Sequence, residues 1–494
     1  MGARVDRTEF SDAERELFQH RLHQCLDALR RVLARPGFGI GEATLGAEVE
    51  LYLIDARGRP CPRNLEVLAA VRDPQFTQEL CRFNLEYNLT PVPAAGRPFT
   101  QMERQLCSAL EHVNRVAAGL GARVIPVGIL PTLRRTDFGP SAMTPVARYQ
   151  AMSRELLRVR GERFSIHING AEPVALDSHD VTIEGANTSM QVHLRVAPAD
   201  FARTFNAVQL VTPLVLAVSC NSPLLFGRRL WQETRVPLFK LAVDGRNRDS
   251  RALHLPPRVD FGTGWVRAGV HELFAAAVHL HEPVLPICTR ENPLRRLRSG
   301  KLPELRELRL HQGTLWPWNR PVYDTSAGGH LRIELRALPA GPSAADMVAN
   351  AAFTIGLASA LRDRIDELLP SVPFPIAARN FYRAAQHGHE ARLWWPAADG
   401  RLEERGACEL AESLLPLAAR GLALLGVTRT ESRLHLGTMR ARLAARTSGA
   451  AWQLRQLARL QPRLGRTRAL TNLVDGYARL ALQNKPVHLW PDIE

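Results

Sequence analysis

Four segments of this chain alternate apolar and polar residues with a period of two, which is the pattern of strands with one buried face. The segments are residues 45–51, 83–89, 189–196 and 330–337, and residues 164–169 repeat the pattern more weakly. Their polar positions hold carboxylates, imidazoles, amides and guanidinium groups rather than the Thr, Lys and Ser of ordinary solvated strands. The alternation predicts a mainly antiparallel sheet with one face on a core. If the four segments share this sheet, its other face is a concave polar floor.

The predicted floor carries several acids together with bases. Its members are Glu48, Glu50, Glu86, Glu334, His193, Arg195, Arg332 and Arg336. Carboxylates on one face repel each other unless a positive charge lies between them. Mg²⁺ takes oxygen ligands and keeps positions for phosphate oxygens, which arginine also binds. The floor therefore indicates phosphoryl transfer from a nucleotide by positioning and charge neutralisation. The alternative is a polar face that is simply solvated, or an ion-pair lattice across the strands.

Composition narrows the class of protein. The chain has 494 residues, of which 45% are hydrophobic and 23% charged, an ordinary globular balance. Its net charge of +15 permits nucleic-acid binding. However, Lys240, Lys301 and Lys485 are the only lysines, and the arginines are spread along the chain without a basic run. We therefore expect no nucleic-acid partner. Seven cysteines without a C-x-x-C pair predict reduced thiols rather than disulfides or a zinc site.

Several catalytic motifs are missing from the sequence. It has no G-x-x-x-x-G-K-[ST] loop, no dinucleotide fingerprint, no G-x-S-x-G elbow and no H-E-x-x-H. The first ten residues lack the apolar core of a secretory signal. The longest apolar run, residues 208–220, is interrupted by Thr212, Pro213 and Ser219, short of the ~18 residues of a spanning helix. These observations predict a cytoplasmic protein with no membrane partner.

The sequence pattern of the remaining segments predicts mostly helices. An N-terminal helix begins after Ser11, whose side chain is a plausible N-cap, and ends before Pro36. Further helices are predicted at about 99–121, 145–160, 199–220, 343–369, 408–425 and within 430–482. Residues 244–312 are rich in Arg, Pro and Gly and read as an insertion or lid. The predicted organisation is an N-terminal helical extension, 1–40, and one catalytic domain, 41–494, helical from about residue 400.

The segment Gly46-Ala47-Glu48-Val49-Glu50 resembles the G-x-E-x-E strand of bacterial glutamate–cysteine ligases and their carboxylate–amine ligase relatives. Further similar segments follow in the family's order: residues 84–88, 128–132, 187–193, 221–223, 226–235 and 333–336. Each is short, and their order along the chain is the specific part. The resemblance covers roughly residues 40–345 and, more faintly, the tail.

The resemblance implies an α+β, glutamine-synthetase-like fold, in which an antiparallel sheet forms a concave active site and helices pack behind it. It implies catalytic roles for Glu48, Glu50 and Arg336, and metal binding by Glu48, Glu50, Glu86, His193 and Glu334. His193, Arg332 and Arg336 would bind ATP or its phosphates. Asn187, Gln191, Arg228 and Arg235 would bind substrate.

The implied reaction uses ATP and Mg²⁺ to activate the γ-carboxylate of glutamate as an acyl phosphate, which the amine of cysteine then attacks. Three alternatives stay open. The acid or the amine could differ, the chain could be a catalytically silent ligand-binding relative, or the positive charge could serve nucleic acid. A silent relative would be expected to lose the strand acids, and this chain keeps Glu48, Glu50, Glu86 and Glu334. The oligomeric state is open, with a homodimer as one candidate.

Overall fold

The computed structural model describes residues 5–397 and 400–494. The strands are β1 Thr44–Ile54, β2 Phe76–Gln78, β3 Asn84–Asn88, β4 Val92–Pro93, β5 Arg123–Ile125, β6 Phe164–Ile168, β7 Val174–Ser178, β8 Met190–Val196, β9 Leu224–Leu225, β10 Arg228–Arg229, β11 Asn319–Asp324, β12 His330–Leu335, β13 Arg392–Pro396 and β14 Leu402–Gly406. The helices are α1 Asp12–Leu33, α2 Asn64–Val71, α3 Pro98–Ala118, α4 Ala147–Arg160, α5 Phe201–Ser219, α6 Arg235–Ala242, α7 Arg248–Ala252, α8 Val270–Leu280, α9 Pro293–Arg298, α10 Arg306–Gln312, α11 Ala344–Arg362, α12 Ile365–Leu368, α13 Phe374–His387, α14 Ala407–Leu424, α15 Arg429–Ala444, α16 Gly449–Leu464 and α17 Arg466–Leu482.

One antiparallel sheet organises the molecule. Its strand order is β11-β12-β8-β1-β3-β2, and β4 and β5 pair with the two ends of β1. All these pairings are antiparallel, and all four strongly alternating segments belong to the sheet. The predicted shared sheet is therefore confirmed. Strand β1 lies near its middle, between β8 and β3, so its side chains can meet those of both neighbours.

The weaker fifth segment lies outside this sheet. Strand β6 pairs with β7 in a separate two-stranded hairpin. Its residues Phe164, Ile166 and Ile168 are buried, whereas Ser165 and His167 are exposed. In this hairpin the polar face is simply solvated, as the alternative interpretation of alternating strands proposed.

Helices α5 and α11 form the apolar layer that packs behind the sheet, and they contact each other and α14. By length and hydropathy alone, Pro198–Ser219 and Ala344–Arg362 could each cross a membrane. The sequence pattern did not predict this, because neither segment is an uninterrupted apolar run. However, 89% and 94% of these segments are buried inside the protein. Their apolarity is therefore that of core helices. The buried Asp346 of α11 lies 3.5 Å from Arg442 of α15, so its charge is compensated inside this layer.

Helix α1 and the segment 244–312 pack together. Helix α1 contacts α8, α9 and α10, and Arg21 and Arg35 donate hydrogen bonds to backbone carbonyls of Thr289 and Leu297. The same segment reaches the edge strand β11, where the Tyr323 hydroxyl donates to the Pro303 carbonyl at 2.8 Å. The extension and the insertion therefore form one layer beside β11. The division into an extension and a catalytic domain, and the role of the insertion as a lid, stay predictions.

The predicted N-cap of α1 is a complete capping box. The Ser11 hydroxyl accepts from the Glu14 amide at 3.3 Å, and the Glu14 carboxylate accepts from the Ser11 amide at 2.8 Å. Ser11→Ala should lower the free energy of unfolding by about 1 kcal/mol, because an amide at the start of α1 loses its partner. Urea unfolding would measure the change. Thr471→Ala is the matched control, since that hydroxyl donates within α17 and caps nothing; an equal loss there would contradict the assignment.

Candidate active site

The register of the sheet brings the predicted acids onto one face. Glu50 of β1 lies opposite Glu86 of β3, and Glu48 lies opposite Gln191 of β8. On the next strand pair, His193 lies opposite Glu334 of β12. Because directly opposed residues point to the same face of a sheet, these side chains converge on one floor.

The first acidic group on this floor consists of Glu50, Glu79 and Glu86. Each offers a carboxylate oxygen, and these oxygens lie within 4.8 Å of one another. Glu79 was not found by sequence reasoning. It follows directly after β2, whose three residues are too few to show an alternating pattern.

The proximity of these carboxyls changes their ionisation. Burial, followed by the charges of Glu48 and Glu50, raises the pKa of Glu86 to about 8. Burial and the charges of Glu86 and Glu50 raise the pKa of Glu79 well above its usual range. Burial also raises the pKa of Glu50, although Arg336 and the Ser189 hydrogen bonds oppose the change. Ionisation of all three carboxyls is therefore unfavourable unless a positive charge lies among them.

Protein donors orient two members of this group. The amide and hydroxyl of Ser189 donate to Oε2 of Glu50 at 2.6 and 3.0 Å, and Nε2 of Gln191 donates to its Oε1 at 3.0 Å. Glu86 Oε1 accepts from Asn88 Nδ2 at 3.0 Å and from the hydroxyl of Thr77 at 3.2 Å. Gln191 therefore lies inside the site and positions Glu50.

The second group consists of Glu48, His193 and Glu334, whose ligand atoms again lie within 4.8 Å of one another. His193 Nε2 is 3.2 Å from Glu48 Oε1. Arg320 of β11 donates to both oxygens of Glu334, at 2.8 and 2.9 Å. Burial alone would raise the pKa of Glu48 and Glu334. The neighbouring His193 lowers the pKa of Glu48 below its usual range despite burial. Arg320 and Arg336 do the same to the pKa of Glu334.

Arg336 lies between the two groups. Its Nη1 donates to both Gln191 and Glu334, and the charges of Glu334 and Glu50 raise its pKa despite burial. Its Nε is buried without a hydrogen-bond partner, as are Nδ1 of His193 and Oδ1 of Asn187. Buried polar atoms without partners are rare, and their presence together here is typical of a site that a ligand completes.

Three other predicted residues have different surroundings. Arg332 donates to Oδ2 of Asp324 at 2.8 Å on the floor's outer side. Arg235 is buried, 2.7 Å from the Glu233 carboxylate, and donates to the Ala337 carbonyl at 2.6 Å. Arg228 lies exposed in the short hairpin of β9 and β10. Arg332 therefore lies on the same strand as Glu334. The partners of Arg235 lie inside the protein, and Arg228 lies on a separate surface hairpin.

Sequence reasoning missed further groups near the floor. They are Glu79, Arg320, Glu184, and Tyr149 of α4. Burial and the charge of Glu50 raise the pKa of Glu184 to about 8, and burial with Glu79 and Glu86 raises that of Tyr149. Arg320 could have been found, because Asn319–Asp324 also alternates in burial. The others lie outside long strands, where no periodic signal exists.

The donor sets fit divalent cations. The first group offers three carboxylates, the hard oxygen ligands that Mg²⁺ prefers. The second offers two carboxylates and the imidazole of His193, whose buried Nδ1 has no hydrogen-bond partner. Burial and the neighbouring acids raise the pKa values of the first group, so full ionisation of its carboxyls is unfavourable unless a bound cation offsets their charge.

Comparisons with known proteins agree with this geometry. The family model described as "Glutamate-cysteine ligase family 2 (GCS2)" matches residues 44–472. A glutamate–cysteine ligase of Francisella tularensis, solved in complex with AMP, shares 11% identity at a TM-score of 0.53, with 90% of each chain covered. A bifunctional glutathione synthetase of Pasteurella multocida shares 11% identity at a TM-score of 0.50, covering 96% of this chain and 54% of its own. No curated protein sequence matches.

At these identities the structural likeness shows the fold, which is the predicted mixed α and β, glutamine-synthetase-like fold with a curled antiparallel sheet. The sequence match covers most of the chain, including every strand of the floor. The resemblance expected from the G-x-E-x-E segment is thereby confirmed. The chain belongs to glutamate–cysteine ligase family 2 and is an ATP-dependent ligase.

Proposed function

We propose that this protein uses ATP and Mg²⁺ to join the γ-carboxylate of glutamate to the amine of cysteine, forming γ-glutamylcysteine. The observation that carries the proposal is the pair of acidic groups on one sheet face, separated by Arg336. Glu48 and Glu50 of β1 each belong to one group, so a single strand contributes to both. Membership of the family supports the carboxylate–amine chemistry.

The residues that would hold the cations follow from the two groups. Glu50, Glu79 and Glu86 would bind one Mg²⁺, and Glu48 and Glu334, with His193 beside them, a second. Bound there, Mg²⁺ would neutralise phosphate oxygens and the charge that develops during phosphoryl transfer. Ser189 and Gln191 would keep Glu50 oriented, since both of its oxygens already accept hydrogen bonds. Such supporting hydrogen bonds fix the geometry of ligating carboxylates.

The phosphates of ATP would bind to the part of the floor that carries Arg336, His193 and Arg332. Arg336 offers a buried Nε–H without a partner, and His193 offers a buried Nδ1 without a partner. Arg332 lies on the same strand face, two residues from Glu334. Guanidinium groups bind phosphate oxygens through paired hydrogen bonds. The AMP bound to the Francisella tularensis enzyme supports a nucleotide at this fold's site.

The chemistry needs two displacements. A γ-carboxylate oxygen of glutamate attacks the γ-phosphorus of ATP, and ADP leaves. The amine nitrogen of cysteine then attacks the acyl carbon, phosphate leaves, and the ammonium proton passes to a carboxylate base. The chain's residues position the reactants and neutralise charge, which is the main catalytic contribution in such transfers. Asn187 and Gln191 are the proposed substrate contacts on the floor, and Arg228 and Arg235 remain proposed contacts farther from it.

Release of ADP by the purified protein tests the substrates. The reaction would contain Mg²⁺, ATP and one acid, with each of several amines including cysteine. We expect turnover that requires glutamate and cysteine together and a product with the mass of γ-glutamylcysteine. Turnover with another acid or amine would support the ligase activity but contradict the proposed substrate. ATP binding without turnover for any pair would favour the silent relative. We also propose that the protein acts in the cytoplasm and that its partners are small molecules, namely amino acids and ATP.

A further inference from the structure

A cavity of about 350 Å³ lies away from the acidic floor, between α1, the end of α4 and the segment that begins at residue 245. Its volume is within the range of small-molecule sites. Val159 of α4 lines it, whereas Tyr149, near the other end of α4, lies beside the acids of the floor. Ten helical residues separate the two positions by roughly 15 Å. The cavity is therefore distinct from the proposed active site.

One cation in the cavity wall has no carboxylate partner. Arg258 is 4% exposed, and its guanidinium donates to the backbone carbonyls of Thr314 and Glu282. Within the described residues, no carboxylate lies within ion-pair distance of it. Burial lowers the pKa of Arg258 to about 10, which leaves it charged at neutral pH. A buried charge without a counterion is costly unless something else neutralises it.

The neighbouring acids already have partners of their own. The Asp244 carboxylate accepts two hydrogen bonds from Arg246, both of 2.9 Å. The Glu282 carboxylate accepts from Arg158 at 2.7 Å. Among the histidines of the wall, burial and Arg258 lower the pKa of His281 to about 3, so it adds no positive charge at neutral pH. Arg258 therefore has no ion pair of its own among the described residues, and the charges of Glu282 and Asp244 offset its charge only in part, which leaves room for one singly charged anion.

A second group in the wall lacks a partner. Gln19 of α1 lines the cavity, and its Oε1 is buried without a hydrogen bond. This oxygen can accept from a hydroxyl or an N–H. Gln19 lies before residue 44, where the family match begins. The cavity is therefore closed by a part of the chain that the family match does not include.

We propose that this cavity binds a small monocarboxylate that also carries a hydrogen-bond donor. The carboxylate pairs with Arg258, and the donor binds Oε1 of Gln19. A carboxylate accepts two parallel hydrogen bonds from a guanidinium group, and the donor satisfies the buried Oε1 of Gln19. The proposal does not depend on the substrates of the ligase reaction.

The test compares 3-hydroxybutyrate with butyrate, which lacks the hydroxyl, by ligand-observed NMR titration of the full chain. Wild type should bind 3-hydroxybutyrate about tenfold more tightly, the contribution of one good hydrogen bond. In Gln19→Leu this preference should disappear, and Arg258→Lys should weaken both ligands. Gln24→Leu is the matched control, because Gln24 lies on α1 and its side chain bonds, within the described part of the chain, to Arg21 and His20. It should keep the preference.

Glu50→Gln separates this site from the acidic floor. Binding that survives Glu50→Gln and loses its hydroxyl preference in Gln19→Leu would establish the cavity as the site. Binding that is lost in Glu50→Gln but unchanged in Gln19→Leu would place the ligand on the floor and overturn the proposal. Equal binding of the two ligands by wild type, or no binding of either, would also overturn it. If Arg258→Lys does not fold, Gln19→Leu alone decides.

Discussion

Glu50→Gln is expected to lower the rate of ADP release by more than about 100-fold, since the loss of even an indirect partner of a bound metal costs about 10–100-fold. The side chain keeps its size, but the carboxamide removes one negative charge from the group of Glu50, Glu79 and Glu86. It also turns one oxygen into a donor facing the donors of Ser189 or Gln191. The Mg²⁺ concentration that gives half-maximal rate should rise with the loss of the charge.

Glu111→Gln is the control for this substitution, because the Glu111 side chain is 76% exposed and, among the residues that the structure describes, forms its ion pair with Arg115. It should leave both the rate and the Mg²⁺ dependence unchanged. Circular dichroism and the melting temperature of Glu50→Gln would show that the fold persists. A rate within threefold of wild type, in a folded variant, would remove Glu50 from the metal site and leave the proposed mechanism without its main support.

Compared with Glu86→Gln, magnesium-free wild-type protein should lose free energy of unfolding as the pH rises from about 5 to about 8. A glutamate in the unfolded chain ionises near its ordinary pKa of 4.5, whereas Glu86 in the folded protein ionises with a pKa of about 8. Between these values the folded state holds a proton that the unfolded state has released, so raising the pH favours unfolding. The loss from Glu86 should be on the order of 3 kcal/mol, less than the full shift because neighbouring carboxyls share the repulsion.

Urea unfolding with a chelator at about pH 5.5 and about pH 8 would measure this loss. Excess Mg²⁺ should restore stability more at the higher pH, where the acids are ionised and able to bind it. In Glu86→Gln this loss should be smaller but not absent, because Glu79, Glu50 and Glu184 also have raised pKa values, whereas Glu111→Gln should behave as wild type. Buried histidines such as His281 and His311, whose pKa values are lowered, act in the opposite direction within this window, but they are unchanged by the substitution, so the comparison of the two proteins cancels them. Glu48 and Glu334 also act in the opposite direction, but only as the pH falls below about 4.5. The same pH dependence in wild type and Glu86→Gln would contradict the raised pKa of Glu86.

Much of the sheet could be predicted because alternation is a local signal. Glu48 and Glu50, or Glu334 and Arg336, face one side whatever their neighbours are, since the repeat of a strand is two residues. The N-cap at Ser11 is similarly local, and the structure contains it. The order of the strands could not be read from the pattern, because it depends on which apolar faces pack together. The resemblance to the ligase family supplied the concave antiparallel sheet but not the order of its strands, and the fold agrees with what it supplied.

The residues that were missed have a shared cause. Glu79 follows a three-residue strand, and Glu184 lies in a single turn at Thr182–Ala186. Their approach to Glu50 comes from tertiary structure, so no spacing in the sequence marks them. Conversely, Arg235 sits in a segment that resembles the family, yet its guanidinium binds Glu233 and the Ala337 carbonyl. Proximity in sequence to a motif does not determine whether a side chain faces solvent, a ligand or its own neighbours.

The position of Glu48 and Glu50 on one central strand would fix the backbone interval between the two proposed cation positions. Two residues along an antiparallel strand advance by roughly 6.8 Å, and β1 is held on both sides by β3 and β8. A hinge motion of loops or helices cannot change this interval without breaking the sheet. A polyphosphate chain bound between the two positions must therefore adapt its own torsions to a rigid protein interval. Selectivity for the length of that chain would then arise from backbone geometry and would be insensitive to substitutions in the surrounding loops.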